Sequence, residues 1–538
     1  MVSIDERRAS VSHARELALA GLCLTVVAIL VYLPHIQHGG FYSDDWADAA
    51  ARFYPPGGPG LSHVLDVYTV LFPYRPVLIL YVPLKYYVFG ANIELQLAWT
   101  IALALIIAWQ FFGILRFFKV PWFHALVIAA LTLVFPWFDS TRLWEAASLS
   151  SFAIMLALAG FWLALIGLER RSWRFHIAAA ALYLLSILTY EITLPAIAAA
   201  GIVYTARFGW KRARFVWSAD LAVALAAGVW NRTHTNRVVS GLGDDLQHIK
   251  QIVEAGGTIV GRSVYPLGPH GYTTTALLVL VGLFGFSGVV WWTRGRLRDA
   301  SGWGLKQWLL LGAVGVGLAA LGWAMFIPAD SYYTPSVYGA ANRVNAMAGF
   351  GIVIAIYAAM GASGAAIAVL VPGARRAVPA VALGGALVLG AAYIHVLERH
   401  SDIWDKAYVA QREGMRLIKQ VLPSLPPNTT VIAAGYPANQ TVGVPIFSAT
   451  WDLNGMLKMS YRDGSLSAFP LMEGFELVCG SRGVGMRGSG ETPPLAPYGR
   501  VRLLDLDTGS HSAPRDRKEC QSVAGRYMPG PFYLSYSY

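Results

Sequence analysis

Charge is what this sequence has least of. Asp, Glu, Lys and Arg together make up 14% of its 538 residues, against about 25% in an average soluble domain. The deficit falls in repeated long apolar runs, which excludes an ordinary soluble fold and reads as a polytopic membrane protein. Cysteine is also scarce. Cys23 lies in the first apolar run, and Cys479 and Cys520 lie in the polar C-terminal region, at spacings that match no zinc site. Neither a GxxxxGK[ST] phosphate loop nor an HExxH zinc motif occurs. Nucleotide hydrolysis is therefore not expected to drive the chemistry, and any transferred group must arrive already activated. The net charge of +11 does not indicate a nucleic-acid partner. Its Lys and Arg residues sit in short clusters between apolar runs, as the positive-inside bias requires.

What the sequence has in abundance is hydrophobic length. Apolar segments at 15–34, 93–115, 121–138, 146–168, 176–190, 192–206, 216–231, 272–292, 305–327, 344–370 and 377–397 predict about eleven transmembrane helices. Clusters at Arg7-Arg8, Arg116 with Lys119, Arg170-Arg171, Lys211-Arg212, Arg294 to Arg298 and Arg375-Arg376 all fall on the cytoplasmic side if the N-terminus is cytoplasmic. That count makes the chain a multi-pass protein of an inner or plasma membrane. The run 176–206 is short for two full spans, so two short helices or a re-entrant hairpin broken near Glu191 and Pro195 are both open. No small-residue cleavage site clearly follows the first run, so it is read as a retained span.

The expected organisation is a transmembrane domain over 1–398 with an outer loop at 35–92, then an extracytoplasmic domain over 399–538. Val431 to Ala434 and Val501 to Leu504 read as strands, with a turn at Asp507 to Ser510. A small mixed α/β domain is expected there. If that domain is exported, Cys479 and Cys520 can pair as a disulfide; two unrelated buried thiols are the alternative. The segment Pro76 to Phe89, short for a span and rich in Tyr, reads as a helix lying in the interface.

The densest chemical signal is Gly40-Phe41-Tyr42-Ser43-Asp44-Asp45-Trp46. Adjacent carboxylates next to hydrocarbon are costly and are usually retained for function. Two acids side by side raise one another's pKa or share a cation, and either state suits removal of a hydroxyl proton. A helix start at Ser43-Asp44-Asp45 is the structural alternative. Arg75 at the end of the loop and Arg343 beside Asn342 offer planar donor forks for a phosphate; snorkelling to headgroups is the bland reading. Arg142 and Arg262 are weaker candidates of the same kind. Glu191 is an intramembrane carboxylate, functional or paired with a Tyr or Arg. Tyr332 and Tyr333 could stack on a sugar or belong to the aromatic belt. His35 and His38 near the acids could hold a divalent metal or be interfacial histidines.

At these residues the chain resembles the GT-C superfamily of integral-membrane glycosyltransferases, which includes protein O-mannosyltransferases and aminoarabinose transferases. The likeness rests on the acidic pair opening the first outer loop. It also rests on Tyr74-Arg75-Pro76 followed by Phe89-Gly90-Ala91-Asn92, and on Leu188-Thr189-Tyr190-Glu191 followed by Leu194-Pro195. The resemblance implies a GT-C-like helical fold and a polyprenyl-phosphate sugar donor. It also implies a protein, lipid or polysaccharide acceptor, Asp44 as base with Asp45 beside it, and inversion at the anomeric carbon. Phosphate binding by Arg75 and Arg343 is expected on the same ground. A lipid-linked saccharide transporter and a non-catalytic envelope scaffold are the competing readings.

Overall fold

A computed structural model describes residues 4–235, 242–267, 303–329, 331–371, 377–488 and 495–534. The expected span 272–292 and the basic residues around Arg294 and Arg375 lie outside the described residues.

The long apolar runs form helices. α1 (Ile4–His38) leads into the first loop, which carries α2 (Asp44–Phe53), α3 (Leu61–Leu71) and α4 (Pro76–Phe89). Next come α5 (Ile93–Phe117), α6 (Trp122–Leu133), the single turn α7 (Ser140–Leu143), α8 (Ser148–Arg170), α9 (Trp173–Thr189), α10 (Leu194–Phe208) and α11 (Trp210–His234). Beyond them are α12 (Leu242–Val264), α13 (Leu305–Ala324), α14 (Ala346–Leu370) and α15 (Ala377–Val421). Among the described residues, seven helices are long and apolar enough to cross a membrane: those within 14–38, 93–117, 148–170, 210–234, 305–324, 339–370 and 378–421.

Three of the expected spans are shorter than a bilayer requires. α6 has 12 residues, roughly 18 Å of helix. It stops at Phe135-Pro136, where the proline ring cannot continue the ladder. The segment 176–206 is two short helices, α9 and α10, interrupted at Tyr190 to Thr193. Their Tyr183 and Tyr204 hydroxyls meet at 2.8 Å, and both helices pack against α8 and α11. At the break, Ser186 donates to the Ala153 carbonyl at 2.7 Å and meets Thr193 at 2.8 Å. Irregular backbone at membrane depth survives only where such groups cover it. α13 and α14 pack backbone to backbone. A Cβ on Gly315, Gly322 or Gly351 would sit 2.6, 2.4 or 2.3 Å from a backbone nitrogen of the facing helix, so small residues set this approach.

α4 forms where an interfacial helix was expected. Leu78, Val82, Lys85 and Tyr86 are buried, while Leu80, Leu84, Tyr87 and Val88 are exposed.

α15 runs 45 residues without interruption, roughly 65 Å at the helical rise, and passes straight through residue 399. Its apolar first half lies among the spans; its polar second half carries the C-terminal part. There β1 (Thr430–Ala434) lies parallel between β4 (Ser467–Pro470) and β8 (Val501–Asp505), and β9 (His511–Ser512) pairs antiparallel with β8. β2 (Asn439–Thr441) and β3 (Val444–Pro445) form a small ladder. β5 (Phe475–Cys479), β6 (Gly483–Gly488) and β7 (Ala496–Pro497) form a second antiparallel sheet. α16 (Asp452–Tyr461) and α17 (Arg517–Ala524) complete this part, and Cys479 is bonded to Cys520 of α17. The hydrophobic core is continuous from Tyr32 and Trp46 to Ile446, Leu453, Leu457 and Leu504, so the sheet region is packed on the helices.

Candidate active site

The loop after α1 is built for a close approach. A Cβ on Gly40 would lie 2.0 Å from the Tyr408 ring, so only glycine lets this strand of chain pass α15. Ser43 then takes φ +43°, a left-handed conformation uncommon outside glycine and found where surrounding contacts hold it. Ser43 makes no cap of α2. Asp45 holds the turn instead: Oδ2 accepts from the Tyr42 N–H at 2.8 Å and Oδ1 from the Ala146 N–H at 2.7 Å. Both Asp45 oxygens are thus engaged by backbone, and the residue is fully buried.

Asp44 faces the other way and is half-buried. Its Oδ1 accepts from the indole N–H of Trp451, at the start of α16, at 2.7 Å. Burial raises its pKa, opposed by the Trp451 hydrogen bond, the nearby Arg343 charge and Ser43. Arg343 belongs to the 3₁₀ segment Gly339–Asn345. It donates to the Ala340 carbonyl at 2.7 Å and to the Tyr332 hydroxyl at 3.2 Å, and lies 5.4 Å from the Trp144 ring centroid. Asn342 anchors that segment. It donates to Asp139 at 2.6 Å and accepts from the Ser140 hydroxyl at 2.6 Å, while Asp139 meets His400 of α15 at 2.5 Å.

Arg75 is paired. It grips Glu191 with Nε–Oε2 at 3.0 Å and Nη2–Oε1 at 2.8 Å, and lies over the Tyr190 and Tyr74 rings at 4.0 and 4.9 Å. The first loop is therefore clamped to the break between α9 and α10. Tyr190 is within electrostatic reach of both Arg75 and Arg343. Asp44, Arg343, Tyr332, Tyr190, Arg75 and Glu191 thus border one region, drawn from four stretches of chain.

Behind Asp44 lies a buried charge cluster. Lys85 of α4 is ion-paired with Glu145, and both are buried. Burial raises the pKa of Asp45 well above the usual carboxylate range, and the neighbouring Glu145 adds to it. Asp48 is raised likewise, by burial first, with Lys85 opposing. Three acids, Asp45, Asp48 and Glu145, thus surround the one ammonium of Lys85.

Of the remaining candidates, Tyr333 adjoins this region, within electrostatic reach of Arg343, and the others lie apart from it. Arg142 is buried, its fork donating to the Phe135 and Thr132 carbonyls at 2.8 Å each, so it caps the end of α6. Arg262 is partly exposed in the last turn of α12. Tyr333 stacks on Phe326 at 6.0 Å, leaving Tyr332 as the exposed ring of the pair. His35 is buried between Asp405, at 2.7 Å, and the Leu143 carbonyl, at 2.9 Å, whereas His38 is exposed. The two histidines do not converge, and no group of three His, Cys, Asp or Glu suited to a metal occurs among the described residues.

Trp451, Trp144, Asp48 and Lys85 were not among the sequence candidates. An indole has no spacing signature that marks it as an acid's partner, and Lys85 looks like one more interfacial cation. Asp220 was missed as well. It is buried in α11 near the Tyr183–Tyr204 pair, inside a run that reads as an ordinary span. A groove of about 410 Å³ beside it, between α10 and α11, is lined by Leu194, Ala198, Leu221, Leu225 and Arg232 and is remote from Asp44 in the chain.

No family model matches this chain, and no curated protein matches it. Among solved structures it is similar to ArnT from Cupriavidus metallidurans bound to undecaprenyl phosphate. The identity is 13% and the TM-score 0.37, over 83% of this chain and 85% of that one. The apo state of the same protein matches at 13% identity and TM-score 0.37, over 82% and 88%. A likeness this distant transfers no residue role.

Proposed function

We propose that this chain is an integral-membrane glycosyltransferase of the GT-C type. It moves a sugar from a polyprenyl-phosphate donor to an acceptor hydroxyl at the outer face of the membrane. The observation that carries this reading is that Arg343 lies within electrostatic reach of Asp44. A half-buried acid thus feels a guanidinium flanked by the Trp144 and Tyr332 rings, beside a bundle of apolar helices. In the reaction, Asp44 takes the proton of the acceptor hydroxyl as its oxygen attacks the anomeric carbon. The sugar–phosphate C–O bond breaks, and the polyprenyl phosphate leaves with the electron pair. Arg343 steadies that charge, and single displacement inverts the anomeric centre. Arg75, held by Glu191, shapes the same wall. Asp45 orients the loop rather than reacting, because its two oxygens are already bonded to backbone N–H groups. In this reading the N-terminus is cytoplasmic. Residues 399–538 form an extracytoplasmic unit that covers the site and selects the acceptor.

The test is transfer of label from radioactive polyprenyl-phosphate sugars in membranes holding equal amounts of wild type or Asp44→Asn. Loss of the base should cut the rate by about 10²–10⁴-fold. Wild-type activity in Asp44→Asn removes Asp44 from the chemistry. A transporter reading has one observation in its favour, the buried Asp220 in α11, since intramembrane carboxylates mark transport pathways. Movement of a lipid-linked saccharide across vesicles without acceptor, abolished by Asp220→Asn, would favour it.

A further inference from the structure

The C-terminal part of the chain does more than pack against the helices; it supplies a hydrogen bond to Asp44. α16 is pressed onto α2 so closely that a Cβ on Gly455 would stand 2.3 Å from the Trp46 carbonyl oxygen. The turn before α16 is tied by Asp452, which accepts from the Ser448 and Ala449 N–H groups at 2.7 and 3.0 Å. On the other side, the Trp46 indole donates to Gln411 of α15 at 3.0 Å, and Gln411 donates to the Ile446 carbonyl at 2.9 Å. Trp451 is thereby fixed from both flanks. Its N–H is a donor only, it is 2.7 Å from Asp44 Oδ1, and its ring remains 43% exposed beside the acid.

We propose that Trp451 is a positioning residue for Asp44. The indole N–H holds one carboxylate oxygen and so sets both the direction and the basicity of the acid, which makes the catalytic loop depend on docking of α16. The role rests on the reaction proposed above. The groups that face Asp44 are Arg343 from the 339–345 segment, Asp48 on α2 and Asp452 on α16. The indole, Arg343 and Ser43 favour the ionised form, while burial opposes it; the Asp44 charge in turn raises the pKa of Asp48 and of Asp452. A base must be ionised to act, so the rate rises with pH through the pKa of Asp44 and then levels. Removing the indole donor shifts that limb to higher pH.

Two substitutions separate the hydrogen bond from the ring. Trp451→Phe keeps an aromatic ring and loses the donor. Trp451→Gln loses the ring and keeps an amide nitrogen the same number of bonds from Cβ. The acidic limb of kcat/KM is expected to move up by about one pH unit in Trp451→Phe, the size of one charge-assisted hydrogen bond. It should stay near the wild-type position in Trp451→Gln. A uniform loss at every pH in Trp451→Phe, or a limb that moves in Trp451→Gln alone, overturns the proposal. A readout without turnover is the infrared carboxyl band that disappears in Asp44→Asn. It should titrate at higher pH in Trp451→Phe than in wild type, and an unchanged titration overturns the proposal. Full activity of Asp44→Asn together with a shifted band in Trp451→Phe would mean that the reaction is misassigned while the Trp451–Asp44 coupling stands.

Discussion

At the scale of single residues, the two adjacent acids divide their labour by what their oxygens touch. Asp45 is bonded twice to backbone N–H groups, whereas Asp44 is held by side-chain donors, Trp451 and Ser43, and reached by one cation. Both were visible in the sequence as a pair, but adjacency cannot say which of two neighbours turns inward. Asp48 was not singled out, because one more acid on a short helix carries no pattern. Its pH behaviour is a direct test of the cluster. Burial raises its folded pKa above the unfolded value of about 3.9. The folded state therefore binds the proton more tightly than the unfolded chain. That gain is fully present below the unfolded pKa and is lost as pH rises through the folded pKa. Asp48→Asn removes this loss. The thermal midpoint of the detergent-solubilised protein should rise by on the order of 2 °C at pH 7 and change least at pH 4. A lower midpoint at pH 7 would mean that Asp48 earns its charge through Lys85.

At the scale of elements, the break between α9 and α10 is an ion-pair anchor as much as a helix interruption. Arg75 from the first loop closes on Glu191 with two hydrogen bonds and lies over Tyr190. Of the two sequence readings for Glu191, the structure displays pairing with an arginine. Removing either partner takes the opposite charge of the ion pair away from the other in a mostly buried place. A fully buried pair broken this way costs about 3–5 kcal/mol; here partial exposure of Glu191 reduces it to roughly 2 kcal/mol. Arg75→Ala and Glu191→Ala should each lower stability by that amount. The double variant should lose at least about 1 kcal/mol less than the sum. Strict additivity in denaturation of the purified protein would show that the two do not act as a pair.

At the scale of the whole molecule, the long helix α15 joins a region made for lipid to one made for water. The Cys479–Cys520 bond ties β5 to α17 across a sequence separation of 41. Closing a loop of that size restrains the unfolded chain by about 4 kcal/mol, so Cys479→Ser should lower the unfolding midpoint of the C-terminal part. The bond also tests orientation, because disulfides persist in oxidising compartments and not in the cytosol. With the C-terminal part exported, as proposed, Cys479 and Cys520 resist thiol labelling in intact cells until a reductant is added. Labelling without reductant, and only after permeabilisation, would place this part inside.

Local information decided a great deal. Apolar run length required a polytopic helical chain, since only helices and closed barrels satisfy the backbone in lipid and these continuous apolar runs are far longer than a barrel strand. The short apolar runs Val431 to Ala434 and Val501 to Leu504 marked strands, and the placement of acids, arginines and the Glu191 segment marked where chemistry could lie. Helix length was less legible, because a run such as 121–138 is apolar throughout yet is cut by Pro136 into pieces too short to span. What the tertiary structure alone decided is partnership. Trp451 reaches Asp44 across a sequence separation of 407, and Arg343 is brought to the same acid by an Asn342–Asp139–His400 network spanning three segments. Hydrophobic periodicity specifies which face of an element is buried but not against which other element. Those contacts are set only when the helices pack, and it is packing that turns an acidic pair into one structural and one available carboxylate.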